Sequence, residues 1–405
     1  MPPLARTVDT RIESPIVRPV MPELDAIRGL AILMVFTYHA FSFGPAAANR
    51  SLAGHAFLAA VHYGWSGVNL FFVLSGFLIT GILLDSRSVP RFYARFYYRR
   101  ALRILPAYYT ILAVLLVLSQ VQFIERKTTL AFAVLSFFYL SNVTPLLGVP
   151  MCYGPLWSLA VEEHFYLLWP AAVKRLSSRS LIWASALICL AVPVLRVYAV
   201  SRGGLWWGPY TWLSADALAL GALLAIFARS QLASRRNLLR VAVLGLVAGG
   251  LGALIGWLVA GPLQIALKAS AINYLAFGVV GGVLWLGTGP SRQRFQSRTL
   301  AFYGYISYGL YLIHLIVISV YDDAAAALAP RFSVGTSLTL AFLRFGVTLA
   351  LATTLALVSR RTFEQYFLGL KDRFFEGKGV AGRPRLRPDL ATNSVNPVGG
   401  EQSPQ

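Results

Sequence analysis

Charge is what this sequence has least of. Only 13% of its 405 residues are charged, roughly half the share found in an ordinary soluble domain. Acidic residues number just 16. With 57% hydrophobic and 13% aromatic positions, the chain is too apolar for disorder, and too apolar for a water-soluble globule unless much of its surface is covered. Lipid is the obvious cover. Cysteine is scarce as well: Cys152 and Cys189 are too few and too differently placed for a disulfide framework or a thiolate metal site, so no metal is expected. The first 21 residues carry Arg6, Arg11 and Arg18 but no apolar run, and no cleavable signal peptide is expected ahead of the first span.

What is present is a succession of apolar segments. Eleven stand out, at roughly 22–44, 63–84, 104–121, 130–147, 156–173, 181–199, 211–228, 239–260, 268–288, 300–321 and 338–358. A crossing needs about 20 mostly apolar residues, and most of these qualify by length alone. The net charge of +20 could suggest nucleic acid, so the placement of the basic residues has to decide. Most lie in six clusters: Arg6 to Arg18, Arg87 to Arg103, Lys174 to Arg179, Arg229 to Arg240, Arg292 to Arg298, and a tail from Arg360 to Arg387. Positive residues collect on the cytoplasmic side of a membrane. All six clusters fall there only if one segment between Arg103 and Lys174 fails to cross. The weakest is 130–147, which ends in Ser141, Asn142 and Pro145 and runs into the uncharged stretch 148–155. It is expected to be re-entrant or interfacial. The expectation is an all-α, polytopic membrane bundle of about ten transmembrane helices with both termini cytoplasmic. Its parts are a cytoplasmic segment 1–21, a membrane domain 22–366, and a cytoplasmic tail 367–405, disordered after about 377. The positive charge is thereby a topology signal, and a nucleic-acid partner is excluded.

Ionisable residues inside spans point to function. Here they are Arg28 and His39 in the first span, Glu162, Glu163 and His164 in the fifth, Asp216, His314 and Arg344. Arg28 and His39 are eleven residues apart, which places them on one helix face about 16 Å apart. Helical rise puts His39, Glu162, Asp216 and His314 at comparable depth in the outer half. A neutral imidazole beside a carboxylate suits general-base catalysis on a hydroxyl, the carboxylate fixing the tautomer. The same groups could carry protons in a transporter. On the inner side Arg99, Arg100 and Arg103 guard the entrance to the third span, with Arg100 and Arg103 on a shared face. They serve topology, and they also suit capture of phosphates. Ser75-Gly76 has no base beside it in sequence and suits close helix packing better than nucleophilic attack.

Six strings carry a family resemblance. They are Leu24-Asp25-Ala26-Ile27-Arg28-Gly29 followed by His39; Phe71 to Phe77 around Ser75-Gly76; Arg100-x-x-Arg103-Ile104-Leu105-Pro106; Trp157 to Pro170 around Glu162; Asp216 to Ala222; and Ile306 to His314. Together, in order and at these spacings, they resemble the bacterial acyltransferase-3 family of integral-membrane acyltransferases, from about Leu24 to Glu364. Two departures are His164, where the family usually has Gln, and Glu364-Gln365-Tyr366 in place of Glu-x-Pro. The resemblance implies a bacterial inner-membrane enzyme that moves an acyl group, most often acetyl, from cytoplasmic acyl-CoA to a hydroxyl of a cell-envelope or secreted carbohydrate. No permanent cofactor is implied. Arg28 and His39 would be the essential pair, Glu162 the acidic partner and Arg99, Arg100 and Arg103 the donor entrance, with Ser75, Asp216 and His314 in support. Acylation of a small cytoplasmic acceptor such as a macrolide or signalling oligosaccharide is the alternative. A proton-coupled transporter or flippase is the non-enzymatic one, against which stands the absence of inverted repeats. Trp206, Trp207, Tyr210 and Trp212 could stack on sugars, but an interfacial aromatic belt has the same composition.

Overall fold

The structure, a computed structural model, describes residues 16–18, 20–41, 52–121, 127–203, 209–289, 297–328 and 338–370. The regular structure of these residues is all helical. In chain order the helices are α1 (Pro22–Phe41), α2 (Leu52–His62), α3 (Gly67–Asp85), α4 (Phe92–Leu118), α5 (Leu130–Phe137) and α6 (Pro155–Arg175). There follow α7 (Ser178–Ser201), α8 (Thr211–Phe227), α9 (Arg235–Leu258), α10 (Pro262–Gly287), α11 (Arg298–Leu328), α12 (Leu338–Ser359) and α13 (Gln365–Leu370). A 3-10 turn, Tyr63–Ser66, joins α2 to α3, and a π-helical turn, Arg360–Glu364, joins α12 to α13.

Among the described residues eight helical stretches are long and apolar enough to cross a membrane. They comprise α1, α2 with α3, α4, α7, α9, α10, α11, and α12 with α13. Two further helices occupy expected spans. The 17-residue α8 is apolar but short, and the 21-residue α6 carries Glu162, Glu163 and His164 at its centre. Segment 130–147 is different. Its α5 has only 8 residues, about 12 Å of rise against a hydrocarbon core of about 30 Å. A second short helix, Ser141–Leu147, follows it and buries Ser141, Asn142 and Thr144 completely. Ser141 donates to the Leu156 carbonyl at 2.8 Å and Asn142 to Thr211 at 3.0 Å, so protein supplies the partners that lipid would not.

Polar caps start several helices. Thr129, Ser177 and Ser234 each accept a backbone N–H of the first turn of α5, α7 and α9. Lipid-facing stripes are legible by exposure: Trp183, Leu187, Leu190, Val194 and Tyr198 recur at helical period along α7, all exposed and apolar or aromatic. Small residues set the inner packing. Gly76 of α3 lies against the Leu218 carbonyl of α8, and Gly221 of α8 against the Val73 carbonyl of α3. Gly29 of α1 and Gly304 of α11 make the same close approach, against Leu300 and Asp25. At these sites a Cβ would meet backbone, which is why glycine stands there.

Two expectations need correction in detail. Helix α2 was not foreseen. Helix α4 begins at Phe92 rather than near 104, so Arg99, Arg100 and Arg103 lie on the helix itself and travel with it into the bundle. Residues 1–15 and 371–405 of the expected cytoplasmic segments, and Trp206 and Trp207 of the aromatic group, lie outside the described residues. Tyr210 and Trp212 stack with their ring centroids 5.1 Å apart.

Candidate active site

A cleft of about 900 Å³, its open mouth included, enters the bundle between α1, α3, α4, α6 and α11. Arg28, Ser75, Arg100, Arg103 and Glu162 line it, so five of the expected site residues meet in one space. Helix α4 places Arg100 and Arg103 on the cleft side because they are three residues apart. Arg99, rotated by about 100°, is exposed and does not line the cleft.

Glu162 anchors the polar wall. Its Oε1 accepts from the Ser75 hydroxyl at 3.1 Å, and its Oε2 accepts from the Tyr166 hydroxyl at 2.5 Å. The Arg100 guanidinium lies 3.9 Å from the same Oε2 and 3.7 Å above the centre of the Tyr166 ring. Residues 162 and 166 share a helix face, so α6 delivers the carboxylate and the aromatic platform together. The Arg100 Nε is buried and has no partner among the described residues. At the mouth Arg28 pairs with Asp25 at 2.7 Å. Arg103 is exposed there and has no ion pair among the described residues. Phe71, Leu78, Ile79, Ile104 and Leu159 supply apolar lining. The deep end is closed by Ser158 and Tyr311, whose hydroxyls lie 2.5 Å apart.

One helical turn beyond Tyr311 stands His314, and there α11 meets α1. The Nε2 of His314 lies 3.1 Å from Nδ1 of His39. His314 is completely buried. Each histidine also places Nδ1 near a backbone carbonyl, His314 at 2.7 Å from that of Tyr311 and His39 at 3.0 Å from that of Val35. A carbonyl only accepts, so both Nδ1 atoms carry hydrogen. With both rings neutral, the one Nδ1–H of His39 is then shared between the Val35 carbonyl and Nε2 of His314. Neutral His39 keeps its lone pair on Nε2.

Thus the structure corrects the expected pairing. Among the described residues Glu162 makes no hydrogen bond to His39; it serves Ser75, Tyr166 and Arg100, and His314 takes the place at His39. The reason is the longer α4, which brings the arginines deep enough to claim Glu162. Asp216 does not line the cleft either. It accepts two bonds from Arg196, at 2.7 and 2.9 Å, in a buried seam between α7, α8 and α10. Arg196 was missed in sequence, although a cation and an anion near facing ends of consecutive spans were there to be matched. Tyr166, Ser158, Tyr308 and Tyr311 were present in the motif strings without roles, and all four line the cleft. His164 donates to or accepts from Thr211 at 2.6 Å, tying α6 to α8 outside the cleft.

The family model of an acyltransferase domain matches residues 21–360, a stretch that contains every helix lining this cleft. The chain belongs to the acyltransferase-3 family. Relatives include a peptidoglycan O-acetyltransferase, OatA, of Listeria monocytogenes, 27% identical over 88% of this chain and 58% of the relative. A second, named "Putative peptidoglycan O-acetyltransferase YrhL", from Bacillus subtilis, is 35% identical over 37% of this chain and 23% of its own length. A third, named "Putative O-acetyltransferase SAS0844", from Staphylococcus aureus, is 27% identical over 74% of this chain and 51% of its own length. The match therefore spans between 23% and 58% of the length of these relatives. No solved structure matches the chain. Within this acyltransferase-3 domain no group of three or more histidine, cysteine or acidic residues that could hold a metal occurs among the described residues.

Proposed function

We propose that this acyltransferase-3 domain moves an acyl group, most often acetyl, from acyl-CoA on the cytoplasmic side of the bacterial inner membrane to a hydroxyl of an envelope or secreted carbohydrate. The proposed topology has ten crossings, the eight long stretches with α6 and α8, and both termini in the cytoplasm. Basic clusters at Arg87–Arg103, Lys174–Arg179 and Arg229–Arg240 support it, since each falls at the same end of the bundle under that count. Segment 130–147 is then re-entrant.

The observation that carries the function is the cluster of Arg28, Arg100, Arg103 and Glu162 on the cleft, with a histidine pair that does not line the cleft but stands one helical turn from Tyr311, which does. Arg100 and Arg103 would hold the phosphates of the donor by charge-assisted hydrogen bonds. The apolar lining of Phe71, Leu78 and Ile79 suits the uncharged arm that follows. Arg100 is steadied by the Tyr166 ring and by Glu162, which leaves its buried Nε for an acceptor. His39, its tautomer held by Val35 and His314, presents Nε2 as the base that takes the proton of the acceptor hydroxyl. The hydroxyl oxygen attacks the thioester carbonyl, the carbon–sulfur bond breaks, and CoA leaves as its thiol after taking up the proton. The relatives named for peptidoglycan O-acetylation support a carbohydrate acceptor for this chain. The test is transfer of radiolabelled acetyl from acetyl-CoA to extracted envelope glycans, by wild type and by His39→Ala. Ester-linked label on glycan that disappears in the variant is expected. Transfer at the wild-type rate by the variant would remove His39 from the chemistry.

A further inference from the structure

Arg344 is among the largest fully buried side chains of the protein, 1% exposed, and the cleft makes no use of it. Its Nε and Nη2 each donate to one oxygen of Asp322 on α11, both at 2.6 Å. Its remaining terminal nitrogen, Nη1, donates to the carbonyl of Ala40. Ala40 directly follows His39. That carbonyl belongs to the last turn of α1, where helix carbonyls have no partner within the helix and where the dipole favours a cation. The next residue of α12 reinforces the grip. Phe345 stacks on Phe41 with centroids 5.4 Å apart and meets Phe36 edge-on at 5.8 Å. Phe36 in turn lies 6.2 Å from the His314 ring. Helix α12 thus holds α1 on both sides of His39, and Asp322 ties that hold to α11, the helix that supplies His314.

We propose that the Arg344–Asp322 pair is a positioning device for His39, capping the end of α1 so that the imidazole keeps its register against His314. The inference rests on the reading of His39 as the base. Three directed donors fix the guanidinium in its plane; a lysine ammonium at this place reaches Asp322 or Ala40 without that fork. A slip of α1 by one residue would turn His39 by about 100° and carry it away from His314.

The experiment uses the full chain in detergent micelles, as wild type, Arg344→Lys and Asp322→Asn. Three quantities are read: the thermal unfolding midpoint, kcat and donor KM for acetyl transfer, and the carbethoxylation rate of His39 by diethyl pyrocarbonate against that of His164, by mass spectrometry. Arg344→Lys is expected to lower kcat about 10- to 100-fold, the effect of roughly 1 Å of misplacement. KM should stay within about twofold, and the His39-to-His164 labelling ratio should change several-fold. Asp322→Asn should move the same two readouts in the same direction by less, because Asp322 is 33% exposed and water can replace part of its role. A folded Arg344→Lys protein with wild-type kcat and wild-type His39 labelling overturns the proposal. So does a loss of midpoint and kcat together with His39 labelling unchanged, which is a purely structural role. If wild type transfers no acetyl group, the proposed function fails, and the labelling ratio alone still decides the positioning role.

Discussion

Arg196 and Asp216 meet through two hydrogen bonds of 2.7 and 2.9 Å, whereas Arg100 and Glu162 approach only to 3.9 Å. Both pairs sit between helices, and in sequence both are charges that a membrane span should not hold. Arg196 spends its other donors on the Leu213 carbonyl and the Ser270 hydroxyl, and the pair is only 6% and 2% exposed. Arg100 instead lies flat on Tyr166 with a buried Nε that has no partner, beside a cleft wide enough for a ligand. A buried charge is functional by the donors and acceptors it leaves over. By that measure the α7–α8–α10 seam is structural and the α3–α4–α6 cleft is the candidate site.

The sharpest way to break this contrast is to remove one residue from each region and read activity and stability separately. His39→Ala should lower acyl transfer by about 10²- to 10⁴-fold, the span of a positioned base, with little change in the unfolding midpoint. His39 is partly buried and neutral in this arrangement, so its loss leaves no sealed charge behind. Asp216→Ala should do the reverse. Arg196 would remain buried without its counterion, a loss of about 3–5 kcal/mol in stability, measured as a lowered midpoint in detergent. The fraction still folded should keep its wild-type KM. If Asp216→Ala were stable and inactive, the seam would belong to the site.

How much of this was legible beforehand follows from the range of each interaction. Helix existence is local: ten apolar segments reappear as α1, α3, α4, α6 to α12, whereas 130–147, expected to be re-entrant or interfacial, is two short helices. Arg28, Ser75, Arg100, Arg103 and Glu162 were legible in four motifs, Arg100 and Arg103 sharing one. Partner choice was not legible. Glu162 belongs with Arg100 because α4 starts twelve residues earlier than its apolar run, and hydropathy does not register an arginine-rich helical turn. His39 belongs with His314 because α1 and α11 pack through Gly29 and Gly304, a contact between residues far apart in the chain. Arg196 escaped notice inside a strongly apolar helix, and Arg344 was noticed without its partner Asp322.

Within the cleft the comparison can be sharpened further along α4. Arg103 has no ion pair among the described residues, and Arg99 on the next face lies outside the cleft. Arg103→Gln should raise the donor KM roughly 10- to 100-fold, the worth of a hydrogen bond to a charged group, with kcat nearly unchanged. Arg99→Gln should leave both constants at wild type. Equal effects from the two substitutions would mean that the whole basic cluster acts through its field, and the cleft geometry would lose its claim on the donor.

The smallest expected effect tests the polar wall around Glu162. Ser75 donates to Glu162 at 3.1 Å, and Gly76 beside it packs on the Leu218 carbonyl, so one helical step carries a polar contact and a packing contact together. Ser75→Ala removes the hydroxyl and leaves the backbone approach intact. Glu162 keeps its Tyr166 bond and Arg100, so the loss should be about 1 kcal/mol, a several-fold fall in kcat over KM. The Glu162 carboxylate that Ser75 donates to is already held by Tyr166 and Arg100, so Ser75 is expected to support Glu162 and not to act as nucleophile. A fall beyond about 10³-fold, with acyl-enzyme no longer trapped from labelled donor, would overturn that assignment and place a covalent step on α3.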